Sequence, residues 1–309
     1  MSKKLLLIAN PTSGTGAIKT KLLPAIDILT RAGYEVTVHV TRSKGDATYI
    51  ARSRGEDFDV IVPCGGDGTV NEVVSGIATM DDPPTLGVLP SGSVNDYAYS
   101  IGMPKGIIAA AKALAEGEIF RCDTGFVNGR PFAYCAAFGA FTDIPYATPQ
   151  DLKNALGPIA YGLHGISRLG TYKEQKVHIE YDGEETDEDV FLGMVSNTIS
   201  IGGVRRMFDS VANLDDGKVE LTLVRFPRDL TDYQMLVNVL LGLEHVDNRE
   251  DFVKVINLSH AKLTFENEIA WTIDGEDGGL TSEAEIDVRH SNIPVIRGDR
   301  EKTYTDAPL

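Results

Sequence analysis

The chain has 309 residues, 42% of them apolar and 24% charged, which is the composition of an ordinary soluble globular protein with room for two domains. Forty-five acidic against 29 basic residues give a net charge of -16 and a pI near 4.8, a field that repels nucleic-acid backbones and argues against a nucleic-acid partner. Cys64, Cys122 and Cys135 are odd in number and lack C-x-x-C spacing, which argues against a disulfide framework or zinc site and for a reducing cytoplasm.

At the N-terminus the apolar run Leu5 to Ala9 ends at Asn10-Pro11, too short for a signal sequence. The richest later stretch, Met235 to Leu243, is far below the roughly 18 residues that span a bilayer. A cytoplasmic chain is expected, one that meets a membrane only from its surface. From residue 3 to about 122, "KKLLLIA", "EVTVHVT", "DVIVPC" and "TLGVLP" read as strands. Between them "AIKTKLLPAIDILTRAG", "GDATYIARSRG" and "NEVVSGIATM" read as helices. This βαβ alternation predicts an α/β domain with a parallel sheet covered on both faces, whose ligands bind at the carboxyl ends of the strands.

After about residue 124 the pattern becomes β-rich. "FVNGRPFAYC", "KVHIEYDGEETDEDVFLGMVS", "LDDGKVELTLV" and "KLTFENEIAWTIDGE" are joined or interrupted at Asn128-Gly129, Asp182-Gly183, Asp216-Gly217 and Asp274-Gly275, dipeptides suited to tight hairpins. A second, antiparallel domain follows over 125–291, with helical inserts at Asp151 to Leu169 and Leu230 to Leu241. The first domain takes 1–124; the segment 292–309 has no clear periodicity and is expected to rejoin it.

Chemistry concentrates at three strand ends. "DVIVPC" runs into Gly65, Gly66, Asp67, Gly68 and Thr69, read as a turn before a helix starting near Asn71. Glycines let backbone N–H groups approach a ligand, and the helix start adds positive potential, so the turn suits an anion. Asp67 within such a cradle is repulsive unless a divalent metal intervenes, which points to a metal–nucleotide site rather than a bare anion site. "NPTSGTG" (Asn10 to Gly16) and "LPSGSVNDYA" (Leu89 to Ala98) end two further strands with glycine, hydroxyls and amides. None is a Walker A loop, because the lysine of G-K-[ST] is missing. Asp274 and Glu276 stand two apart across a glycine; an extended strand end would put both carboxylates on one side, whereas an Asp-Gly hairpin turn would merely solvate them.

"NPTSG", "GGDGTVNEVVSGI" and "LPSGSVNDYA", followed by "LDDGKVELTLV" and "IDGE" in that order, resemble the motifs of the diacylglycerol kinase catalytic domain family, which includes bacterial soluble lipid kinases and the sphingosine and ceramide kinases. The resemblance implies an architecture similar to phosphofructokinases and NAD kinases: an α/β nucleotide-binding domain plus an antiparallel β-sandwich that receives the lipid, with the reacting groups in the cleft between them. It implies ATP on Asn10, Pro11, Thr12, Ser13, Gly14, Thr41, Gly65, Gly66, Asp67, Gly68, Thr69, Asn71, Glu72 and Ser93. Asp67, Asp96 and Asp123 would order a catalytic Mg2+, Glu276 would be the general base, and Asp274 would support it. A structural Mg2+ would sit at Asn213, Asp216 and Lys218.

The activity implied is transfer of the γ-phosphoryl of ATP to a membrane lipid hydroxyl, foremost diacylglycerol, giving phosphatidic acid. Phosphatidylglycerol or a sphingoid base is an alternative acceptor, and a non-catalytic nucleotide- or lipid-binding relative is an alternative role. Peripheral contact with the inner membrane surface, through Phe138 to Tyr146 and the 151–169 insert, and a homodimer complete the expectation. NAD kinases share G-G-D-G, but their Asn-Glu pair lies well downstream, whereas Asn71-Glu72 follows the turn directly. Departures from the family pattern are Ser93 in place of Thr, Tyr99 in place of a basic residue, and the lack of an alanine-proline pair in "IGGVRRMFDSVANLDDG". Arg205-Arg206 reads as a basic patch or a solvated loop, His164 and Arg168 as surface or packing residues, Trp271 as core, and Cys64 as an alkylation-sensitive or simply buried thiol.

Overall fold

The computed structural model describes residues 2–14, 16–140, 173–198, 200–201, 204–205, 213–240 and 252–298. The chain divides into two compact units, Met1–Thr124 with Ser291–Leu309, and Gly125–His290. The expected helical insert at 151–169, with His164 and Arg168, lies outside the described residues, as do Arg206, most of the expected membrane-contact segment and the last eleven residues of the C-terminal segment.

In the first unit, β1 (Lys3–Ala9), β2 (Tyr34–Val40) and β3 (Val60–Gly65) pair in parallel, with β1 between the other two. β3 is buried at every position and β1 over its last five, the signature of parallel strands covered on both faces. The helices are α1 (Ile18–Arg31), α2 (Asp46–Arg54), α3 (Asp67–Ile77), α4 (Asp96–Ser100) and α5 (Ile107–Glu116). The expected fourth strand is two short pieces, β4 (Thr85–Leu86) and β5 (Leu89–Pro90), both lying along β3. α3 begins at Asp67 rather than near Asn71, so Asp67, Gly68 and Thr69 form the first helical turn and only Gly66 is its cap. α5, built from "IIAAAKALAE", was not among the expected helices.

The strand β6 (Glu118–Val127) runs from the first unit into the second, where its hairpin with β7 (Arg130–Phe132) is followed by β8 (Cys135–Gly139), β9 (Gln175–Tyr181), β10 (Glu184–Val190) and β11 (Leu192–Ser196). Next come β12 (Ser200–Ile201), β13 (Val204–Arg205), β14 (Val219–Val224), α6 (Leu230–Leu240), β15 (Val253–Leu258), β16 (His260–Ile273) and β17 (Glu276–Arg297), whose last residues return to the first unit. One antiparallel run is β15-β14-β11-β8-β16; β16 also pairs with β9, and β9 with β10. A register shift between Thr264 and Ile269 lets the long β16 serve both sets of partners. The alternate residues that face inward form an apolar core in which Phe138, Phe265 and Trp271 stack, so Trp271 is core as expected.

Asn128-Gly129, Asp182-Gly183 and Asp274-Gly275 have positive φ at both positions, the two-residue turn that matches strand twist. Asp274-Gly275 is therefore the β16–β17 hairpin turn and not an extended strand end. At Asp216-Gly217 only the glycine has positive φ, and Asp216 Oδ1 instead accepts the Lys218 amide, an Asx-type loop rather than a hairpin.

Candidate active site

The first three strand ends converge. Asn10, just past β1, donates its amide to the Cys64 carbonyl of β3 at 2.9 Å and its Nδ2 to Thr69 Oγ1 at 3.1 Å. Its Oδ1 accepts the Thr12 amide and hydroxyl, folding Pro11 into a tight loop. Ser91 donates to the Gly65 carbonyl at 2.8 Å, and Thr41, after β2, donates to the Ala9 carbonyl at 2.9 Å. Gly14 sits at φ +58° against the Ser91 carbonyl, and Gly66 lies against Gly92 and Ser13, so a Cβ at Gly14 or Gly92 would collide with backbone. The glycines thus permit three loops to close on one another, leaving Thr12, Gly14, Gly68 and Ser93 exposed.

Asp67, in the first turn of α3, accepts the amides of Asn95 at 2.8 Å and Tyr97 at 3.3 Å. Burial, and then the charge of Asp96, push its carboxyl up to about 6. Asp96, the first residue of α4, is buried, and two carboxylates at helix starts that feel each other's charge are a donor set suited to a hard divalent cation. Asp123, on β6, is also buried, and its Oδ1 accepts the Ser291 amide at 2.7 Å.

Other expected contacts are placed differently. Glu72 points its carboxylate at the start of α2, accepting Gly45 N at 2.9 Å and Ala47 N at 3.0 Å, so it caps that helix. Asn71 is buried and accepts the Ser75 hydroxyl. Cys64 is buried and its thiol is pushed up to about 12 by burial, which removes the thiolate that alkylation needs.

In the second unit, Asp274 is 4% exposed and accepts the amides of Ala133 at 2.6 Å, Tyr134 at 2.9 Å and Cys135 at 3.0 Å. Its oxygens hold the Ala133 to Cys135 backbone beside the hairpin turn that leads to Glu276. Glu276, the first residue of β17, is half-buried opposite Ile273. Asn213, Asp216 and Lys218 are exposed on the loop before β14. Burial pushes the nearby Glu220 up to about 7, with the charge of Asp216 adding to it. Sequence reasoning passed over Glu220, because a lone glutamate in an alternating strand reads as solvated. It also left Asn95 without a role: at φ 63° Asn95 bonds the Gly92 amide and carbonyl through its side chain and presents its own amide to Asp67.

A parallel α/β layer with three glycine loops and an aspartate pair at its strand ends, joined to an antiparallel β-sandwich, defines a two-domain phosphotransferase class. Residues 4–127 match the diacylglycerol kinase catalytic domain family, and residues 146–296 match the YegS C-terminal NAD kinase beta sandwich-like domain. A diacylglycerol kinase of Bacillus subtilis (strain 168) is 35% identical over 97% of this chain and 99% of its own. One from Staphylococcus aureus (strain Newman) is 36% identical over 93% and 92%. The crystal structure of a diacylglycerol kinase from Bacillus anthracis str. Sterne superposes with a TM-score of 0.77 at 25% identity, and another structure from that strain with 0.83 at 27%; each covers 96% of this chain and 97% of its own. The chain belongs to the diacylglycerol kinase catalytic domain family. No helix among the described residues is long and apolar enough to cross a membrane.

Proposed function

We propose that the protein is an ATP-dependent lipid kinase that phosphorylates diacylglycerol to phosphatidic acid at a membrane surface. The observation that carries this reading is the convergence of the three glycine loops on the Asp67–Asp96 pair. Loop backbone at Thr12 to Gly14 and Gly66 to Gly68, with Ser93 and Thr41 beside it, cradles the phosphates and ribose through N–H and hydroxyl donors. Glu72 contributes by fixing α2 against α3. Asp67 and Asp96 would hold Mg2+, which when bound would supply positive charge to offset that of the ATP phosphates. Asp123 orders that network through the backbone it holds.

Glu276 takes the proton of the lipid hydroxyl as its oxygen bonds the γ-phosphorus and the bond to the bridging oxygen of ADP breaks. The Asn213–Lys218 loop would hold a second, structural Mg2+ through Asp216. The active species is a homodimer that meets the bilayer peripherally.

The test is transfer of labelled phosphate from ATP to mixed micelles of single lipids. Diacylglycerol is expected to be labelled in the presence of Mg2+, and Glu276→Ala to lower kcat by about 10² to 10⁴ with the KM for ATP unchanged. Label on another lipid moves the acceptor; nucleotide binding without transfer to any lipid refutes the activity.

A further inference from the structure

On β14 the residues Val219, Leu221 and Leu223 face the core of the sandwich, which turns Glu220 to the opposite face, between Ser196 of β11 and Asn257 of β15. Glu220 is 9% exposed, and its Oε2 has no hydrogen-bond partner. A buried carboxylate oxygen with no donor is strongly unfavourable, and the residue types that normally keep one are those that bind a proton or a cation. The chain around it is arranged for the second. Asp216, whose charge acts on Glu220, lies four residues earlier on a loop whose shape is set twice. Its own Oδ1 accepts the Lys218 amide at 3.0 Å, and Gly217, at φ +76°, lays the backbone against the His290 ring. An exposed carboxylate on the loop and a buried one four residues later on the strand it leads into, with an oxygen of the buried one unanswered, offer oxygen donors of the kind a hard divalent cation takes.

We infer that Glu220 supplies a direct carboxylate ligand to a divalent cation held at the Asn213–Lys218 loop, with Asp216 as the second carboxylate. This rests on the reading that the loop carries a metal, and it names the buried anchor of that site. Asp216 gives the cation an entry point; Glu220 fixes its depth, because a ligand on a strand is positioned by the sheet and not by the loop.

The experiment uses the full chain, freed of metal with a chelator and without nucleotide, so that cation arriving with ATP does not contribute. Mn2+ binding is measured by equilibrium dialysis with paramagnetic detection, and Mg2+-dependent melting by calorimetry, for wild type, Glu220→Gln and Asp216→Asn. The wild type is expected to bind an Mn2+ at this loop beside any held at Asp67 and Asp96, both variants to bind that loop ion at least about 10-fold more weakly, and both to lose the part of the Mg2+-dependent rise in Tm that it gives the wild type. A folded Glu220→Gln that binds Mn2+ like the wild type overturns the inference. If Asp216→Asn alone loses binding, the loop metal stands and Glu220 is not its ligand. No binding by the wild type removes both, while the lipid assay still judges the kinase reading. Should Glu220→Gln fail to fold, wild-type crystals soaked in Mn2+ decide. An anomalous peak within about 2.5 Å of a Glu220 oxygen supports the assignment, and one farther away overturns it.

Discussion

Asp67 and Asp274 are both aspartates beside a glycine at the end of a buried strand, one in each unit, and the protein treats them in opposite ways. Asp274 receives three backbone amides from Ala133 to Cys135, so its charge is fully answered. Asp67 receives two amides from the Asn95–Tyr97 segment but shares its surroundings with Asp96, and its carboxyl is held up at about 6. An aspartate whose neighbours satisfy it is a structural fastener. One placed beside another carboxylate stores unfavourable energy that a cation can relieve, which is the usual mark of a functional group.

The contrast can be broken by substitution. Asp67→Asn is expected to lower kcat on diacylglycerol by about 10² to 10³ without lowering the melting temperature at pH 7, since it removes a buried charge held beside Asp96. Asp274→Ala is expected to do the reverse. It strands three amides, costs about 2 to 4 kcal/mol and lowers Tm by roughly 5 to 10 °C, with kinase activity kept below the transition. An Asp67→Asn that keeps wild-type activity, or an Asp274→Ala that melts like the wild type, would erase the distinction.

The pH dependence sharpens it. Native Asp67 keeps its proton to about pH 6, whereas the unfolded chain releases it near 4, so between those values the native state binds more protons. The contribution of Asp67 to stability therefore falls as pH rises across that window, by about 1 to 3 kcal/mol, and is constant above it. Urea titrations at pH 4.5 and 7 in the absence of metal should show the wild type losing more stability than Asp67→Asn; equal losses would show that Asp67 is not perturbed. The smallest effect is expected at Glu72. Its replacement by Ala removes two bonds to the start of α2 and should cost about 1 kcal/mol, read as a Tm drop of a few degrees, with KM for ATP little changed.

Much of the site was legible because its parts are contiguous in the chain. Gly65 to Thr69, Asn10 to Gly14 and the segment from Ser91 to Asp96 each follow a strand of recognisable apolar character, and parallel sheets put such ends on one edge. The hairpin turns at Asn128-Gly129 and Asp182-Gly183 were legible for a similar reason, since φ > 0 at two successive residues has few sequence solutions. What escaped depended on partners distant in sequence. Nothing near Glu72 announces Gly45 and Ala47, 27 and 25 residues away, and nothing near Asp274 announces amides about 140 residues earlier.

The sequence by itself determined the α/β and antiparallel halves, the glycine loops and the family, because apolar periodicity and turn chemistry act over a few residues at a time. Only the tertiary structure decided which carboxylates are free to work. Four acidic residues of the motifs became a helix cap at Glu72, a loop fastener at Asp274, a strained pair member at Asp67 and a buried unanswered oxygen at Glu220. A carboxylate's role is set by the donors and charges that surround it, and those arrive from other parts of the chain only when it folds.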